Sequence, residues 1–325
     1  MLKLTLEAEI FLDFINTQPK QFPEGSLEEH SYWNAFFTFI KSGANLDLIN
    51  NNKLDNSIFL IGLSTGRKGT KINIIENFNK PHKYKLPKET PFENIYFLNE
   101  TSREQGEKYR SVNSFAFGFL DDYVEIWNKL SVESKVYSYA VRKNTGSFNN
   151  WSIIEQHLIA FSDIVIADSY ILSDISLIQS NLLKILLSFQ SINPNGFSLS
   201  IITYEGSFNS KINIDDCYNN LKQLIFNNNI SCKFELIFST NRLKEHDRGI
   251  FTNYLRIKSG DSFNYFNSKN EIITKGTEID FIPLIKREYY KLAQITLQAL
   301  NEIKITAGEN QKRGECDNKL LDNIC

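Results

Sequence analysis

Three apolar runs, spaced by amphipathic stretches, constrain this chain more than any other feature. Asp163-Ile164-Val165-Ile166-Ala167-Asp168, Phe197 to Tyr204, and Cys232 to Phe238 each have the length and β-branched content of a buried strand. Between the first two, Asp174 is placed to cap a helix through Ser188 that carries Ile175, Ile178, Leu182, Ile185, Leu186 and Phe189 on one face. Between the second and third, Asp215 to Asn227 reads as another helix. Strands alternating with helices of this length predict a parallel sheet covered by helices on both faces, since each strand must bury both of its sides. Right-handed crossovers then gather the carboxyl ends of the three strands at one edge, where ligands bind in such sheets.

The flanking segments extend this α/β pattern. Ile153 to Phe161 reads as a helix. Gly249 to Lys258 and Phe263 to Asn267 read as strands paired across a Ser259-Gly260-Asp261 turn, Ile279 to Ile282 as a further strand, and Leu284 to Ile303 as a closing helix. In the first half, strands are expected within 1–16 and at Ser57–Leu63, Lys71–Ile75 and Asn94–Leu98. A Ser26/Glu29 capping box opens a helix carrying Tyr32, Trp33, Phe36, Phe37 and Ile40, and Asp121 to Leu130 forms another. Ser64 to Thr70 has the small and basic residues of a phosphate loop but precedes a strand, not a helix, so it reads as a hairpin turn. Lys135 to Val141 alternates as a strand, and Asn144 to Asn150 is the most linker-like stretch. The division expected is therefore an N-terminal α/β region over 1–145, of a role the sequence does not reveal, a second domain over 150–305, and a disordered polar tail over 306–325.

A formal net charge of −2 and a pI near 6.2 exclude a global polycation of the kind many nucleic-acid binders present. The four cysteines, Cys217, Cys232, Cys316 and Cys325, show no C-x2-C half-site, and no histidine lies at metal-ligand spacing from another ligand. Reduced thiols, no metal and no cofactor are expected. Carboxylates at Glu7 and Glu9 interrupt the N-terminal apolar stretch, and no run of about 18 apolar residues is evident. A cytoplasmic protein without a membrane span is the expectation.

One segment carries chemistry. His246-Asp247-Arg248, four further residues and Asn253 make the pattern H-x-R-x4-N, with Gly260 after six intervening residues. Around it, Arg242, Lys244, Arg248, Arg256 and Lys258 outweigh Glu245 and Asp247, a local basic cluster in an acidic chain. The register resembles that of the phospholipase D-like superfamily, whose members carry H-x-K-x4-D followed by a Gly-Ser step. Arg248, Asn253 and Asp261 stand where that pattern has lysine, aspartate and serine. The triplet and the Tyr265-Phe266 step also resemble the phospholipase D-like C-terminal domain of an MIT-domain adaptor associated with ESCRT.

The resemblance implies a phospholipase D-like domain in which His246 is the nucleophile and Arg248 clamps phosphate, with Asn253 as the third catalytic position. Arginine keeps the clamp's charge and adds a bidentate fork, but Asn253 lacks the charge that raises a histidine's basicity. Arg242, Lys244, Arg248, Asp168 and Ser262 are the expected ligand-binding residues. Asp168, at the end of a strand, either points at the ligand or makes an ordinary turn hydrogen bond. A single motif supplies half a catalytic site, so catalysis requires a homodimer. The leading expectation is a degenerate module that binds a phosphate-bearing ligand or a partner protein. A bacterial defence system is a setting suggested by the superfamily and by an AT-rich composition, not by any motif. A nuclease or other phosphodiesterase acting as a dimer through His246, and a structural subunit of a larger complex, are the alternatives.

Overall fold

The computed structural model describes residues 3–16, 45–55, 71–77, 95–97, 117–118, 135–158, 161–194, 196–205, 213–243, 248–284 and 287–322. It divides into two compact units, Met1–Lys135 with Ile285–Tyr290, and Val136–Leu284 with Lys291–Cys325.

The first unit is built on a five-stranded, wholly parallel sheet. Its strands are β1 (Lys3–Glu7), β2 (Asn45–Ile49), β3 (Lys71–Ile75), β4 (Ile95–Phe97) and β5 (Phe117–Gly118), in the order β3-β2-β1-β4-β5. Such an order, reversing beside β1, is that of doubly wound sheets. Residues 1–16, expected as a strand, divide into β1 and helix α1 (Ala8–Asn16), whose Ala8, Ile10 and Phe11 are buried. The β1–α1 junction is Glu7-Ala8-Glu9, with no glycine to let a pyrophosphate approach the backbone. The helices expected from Ser26 and Asp121, the strand over 57–63 and the loop over 64–70 lie outside the described residues.

The second unit is organised by an eight-stranded mixed sheet in the order β13-β9-β8-β7-β10-β11-β12-β6. Its strands are β6 (Tyr137–Val141), β7 (Asp163–Ala167), β8 (Phe197–Tyr204), β9 (Cys232–Ser239), β10 (Gly249–Thr252), β11 (Leu255–Ser259), β12 (Thr277–Pro283) and β13 (Lys312–Gly314). The three runs expected to be parallel are so: Ile166 pairs with Ile201, and Ile201 with Leu236. Beyond β7 the sheet continues antiparallel through β10, β11, β12 and β6. The unit boundary therefore falls before β6, not in the Asn144–Asn150 linker. β6 is hydrogen-bonded into this sheet, and Phe148 after it is buried in the same core.

Helices α2 (Ile175–Ile192) and α3 (Ile214–Asn227) form the two crossovers. Both put their apolar stripes on one face: Leu182, Ile185, Leu186 and Phe189 of α2, and Cys217, Leu221 and Ile225 of α3, share a core with Ile164, Ile166, Leu199, Ile201, Leu236 and Phe238. Strands that advance steadily in one direction with a constant crossover hand place their helices on the same side. Asp174 caps α2 as the sequence predicts, accepting from Ser176 N. α2 has the length and, at a mean of 1.2, the hydropathy of a marginal membrane span, yet here it packs as a core helix. It widens to a π turn over Ile178–Leu182. There the buried Asn181 accepts from Trp151 Nε1 and Phe266 N and donates to Leu177 O and Phe266 O, tying residue 266 to the helix.

The opposite face is covered by the end of the chain. Helix α4 (Arg287–Thr306) buries Ala293, Leu297 and Leu300, and its Lys304 bridges Glu235 on β9 and Asp322 at 2.9 and 2.8 Å. The tail expected to be disordered is instead folded. A 3-10 turn (Glu309–Gln311) leads into β13, which pairs with β9, and then into helix α5 (Lys319–Asp322), which buries Leu320 and Leu321. Asn318, fully buried, donates to Ile164 O and to Ser200 Oγ. Two other expectations change. Ile153–Phe161 begins as a 3-10 helix over Trp151–His157. The hairpin turn after β10 lies at Asn253–Tyr254, not at Ser259–Asp261, and pairs β10 with β11.

Candidate functional site

At the carboxyl end of β7 the apolar face becomes polar. Asp168 follows Ala167, which pairs with Ile202 on β8 and Gly249 on β10, so its neighbours one step further along are Thr203 and Arg248. The same register carries the row on to Ser259 of β11. Asp168 is fully buried, and each of its oxygens is engaged: Oδ1 accepts from Tyr170 N at 2.9 Å, and Oδ2 from Phe263 N at 2.7 Å and Ser262 Oγ at 2.8 Å. Burial pushes this carboxyl above the usual carboxylate range, against the pull of those hydrogen bonds and of the Arg248 charge. Asp168 thus does both things the sequence allows: it makes the turn hydrogen bond to Tyr170, and it anchors the 262–263 segment at the strand end.

The charge of Arg248 acts on Asp168, and Arg242 lies on the loop that follows β9. Arg248 is partly buried, and its Nε has no hydrogen-bond partner. Arg242 is exposed and lies over the Tyr170 ring with its guanidinium carbon 5.2 Å from the centroid. The loop that carries Arg242 is pinned, since Leu243 is buried and its N–H donates to Ser169 Oγ at 3.0 Å. The local basic cluster does not form one surface. Arg256 is buried with its guanidinium 5.2 Å from the Phe251 ring, and Lys258 alternates with Ser259 to the other face of the sheet. His246 and Lys244 lie outside the described residues.

Asn253 is elsewhere. β10 runs antiparallel to β7, so the chain leaves Arg248 at the carboxyl end of β7 and reaches Asn253 at its amino end. Five extended residues span roughly 16 Å. There Asn253 Oδ1 accepts from Ser162 N at 2.8 Å and Asp163 N at 3.1 Å, and its Nδ2 lies 3.4 Å from Asp163 Oδ2. Of the sequence-predicted site residues, the structure brings together Asp168, Arg248 and Ser262, places Arg242 over the Tyr170 ring, and sets Asn253 in a separate buried network with Asp163. Residues that spacing alone missed are Thr203 and Asn264. The strand-end position of Thr203 was legible, but its neighbours were not.

Among the described residues no group of three or more His, Cys, Asp or Glu side chains could hold a metal ion. The chain matches no protein-family profile and no curated protein.

Proposed function

We propose that the second unit is a phosphate-recognition module of phospholipase D-like descent that has given up catalysis, with Arg248 and Arg242 as its anion clamps. The observation that carries this reading is the pair of guanidiniums at the carboxyl edge of the central strand, held on rigid supports: a strand end beside Asp168, and the face of Tyr170. Guanidiniums held this way lose little rotamer freedom on binding, and their forked donors match phosphate oxygens. The H-x-R-x4-N register supports the phosphate class, and the commitment of Asn253 to the amino end of β7 supports the loss of turnover.

The test is a titration of the full chain with inorganic phosphate, followed by calorimetry, for the natural protein and for Arg248→Ala and Arg242→Ala. Saturable binding that both substitutions weaken supports the reading. Metal-independent phosphodiester cleavage abolished by His246→Ala would replace it with the enzymatic alternative.

A further inference from the structure

Helices α2 and α3 leave an open trough between them on the outside of the second unit. A cavity of about 570 Å³ lies there, and its buried lining is Leu172, Ile178, Cys217 and Leu221. Its walls extend from Asn213 to Asn227, the whole of α3 with its cap. Gln179, Leu224 and Asn227 also border a second cavity of about 890 Å³, so the two adjoin along α2. Together they exceed the roughly 300–1,000 Å³ of a small-molecule site, and α3 gives the trough a length of about 21 Å. That is the reach of about six residues of extended chain. The π turn of α2 borders the trough at Ile178 and Gln179, and such turns recur at functional sites.

The rim of the trough is a ladder of side-chain amides. Along α3, Asn213, Asp216, Asn220, Gln223 and Asn227 recur at intervals of three and four residues, which places them on one edge of the helix. Gln179 lines the same cavity from α2. Among the described residues, no hydrogen bond engages the exposed side chains of Gln179, Asn220, Gln223 or Asn227. A carboxamide presents a donor and an acceptor side by side. It therefore complements another amide, and it pairs with peptide backbone whatever the side chains attached. In such recognition the main chain supplies affinity and apolar side chains in pockets supply specificity. Charge narrows the partner further. Asp216 and Glu155 line the trough against a single cation, Lys184, and no arginine does, so basic segments are favoured over acidic ones. We propose that the trough between α2 and α3 docks an extended, basic peptide segment of a partner protein, with its backbone on the amide ladder and its apolar side chains over Leu221 and Leu224. This site shares no lining residue with the anion site proposed above and does not rest on it.

The test selects hexapeptides from a random phage-displayed library on the full chain. The most enriched sequence is then titrated as a synthetic peptide by fluorescence anisotropy. Enrichment of sequences that combine lysine or arginine with aliphatic residues is expected. Asn220→Ala with Asn227→Ala should weaken the peptide about tenfold, the scale of two lost hydrogen bonds, while Arg248→Ala leaves it unchanged. Both asparagines are exposed and alanine is the better helix former, so the double variant should melt no earlier than the natural protein. The same peptide N-methylated along its backbone keeps every side chain and loses its N–H donors, and it should bind about tenfold more weakly or worse. A selection that yields no consensus, or an acidic one, overturns the proposal. So does a peptide that binds the double variant, or in its N-methylated form binds the natural protein, with undiminished affinity. Self-association of the chain that the double variant abolishes would make a second copy the occupant and overturn it as well.

Discussion

Arg248 stands directly across the β7–β10 ladder from Asp168, one register step past the Gly249–Ala167 pair. A fully buried carboxylate and a partly buried guanidinium thus close the carboxyl end of the sheet's central strand. The Arg248 charge acts on Asp168 through space, and removing the carboxyl leaves that charge less compensated in a poorly solvated setting. Asp168→Ala also frees Tyr170 N, Phe263 N and Ser262 Oγ. It is expected to lower unfolding stability by about 2–4 kcal/mol in a urea titration. A loss within experimental error would mean that the 168–170 and 262–264 segments are held by other contacts.

Asn253 yields the opposite signature to a ligand-binding residue. Its side chain satisfies the backbone of Ser162 and Asp163 at the far end of β7, so Asn253→Ala should cost about 1–3 kcal/mol of stability. Phosphate affinity should be unchanged in the same variant. A stable Asn253→Ala protein that had lost phosphate binding would place this residue in the site after all.

The order of β7, β8 and β9, their parallel pairing and the cap at Asp174 were legible in the sequence because long apolar runs and a capping side chain act locally. The place of Asn253 was not. Its distance from Arg248 depends on β10 being an extended strand antiparallel to β7, a long-range pairing that a motif's spacing does not encode. The tail was missed for a related reason. Residues 308–322 are largely polar, and two leucines with the single buried amide of Asn318 anchor them to the sheet. Asp168 is likewise tied to Ser262 and Phe263 more than ninety residues away, a pairing no stretch of sequence could show.

Deleting residues 308–325 should therefore be costly. It strips β13 from the outer side of β9, removes Leu320 and Leu321 from the core, takes Asn318 from Ser200 and Lys319 N from Asp163, and leaves Lys304 without its Asp322 partner. An uncovered, apolar strand edge is a template for self-association. The truncated chain is expected to melt earlier and to aggregate in size-exclusion chromatography. A monodisperse truncation of unchanged melting temperature would show the tail to be dispensable.

His157 gives a pH dependence. It is 4% exposed, its Nε2 lies 2.9 Å from Tyr139 Oη, and its ring stacks on Phe281 at 4.2 Å. Burial lowers its pKa from 6.5 to about 4. The unfolded chain therefore takes up a proton near 6.5 that the folded chain refuses until about 4, and stability falls as pH drops through that window. The full effect is up to about 3 kcal/mol. His157→Gln should flatten this part of the profile relative to the natural protein in denaturant titrations from neutral pH down to mildly acidic pH. Parallel profiles for the two proteins would show that His157 does not titrate as its burial implies.

The account turns on whether the arginines at the carboxyl edge of β7 bind phosphate, and calorimetric titration with inorganic phosphate at two salt concentrations tests it directly. Saturable binding is predicted, weaker at the higher salt, reduced about tenfold or more by Arg248→Ala and less by the exposed Arg242→Ala, and unaltered by Asn253→Ala. Binding that survives Arg248→Ala, or that fails equally in Arg248→Ala and a folded Asn253→Ala, would contradict it.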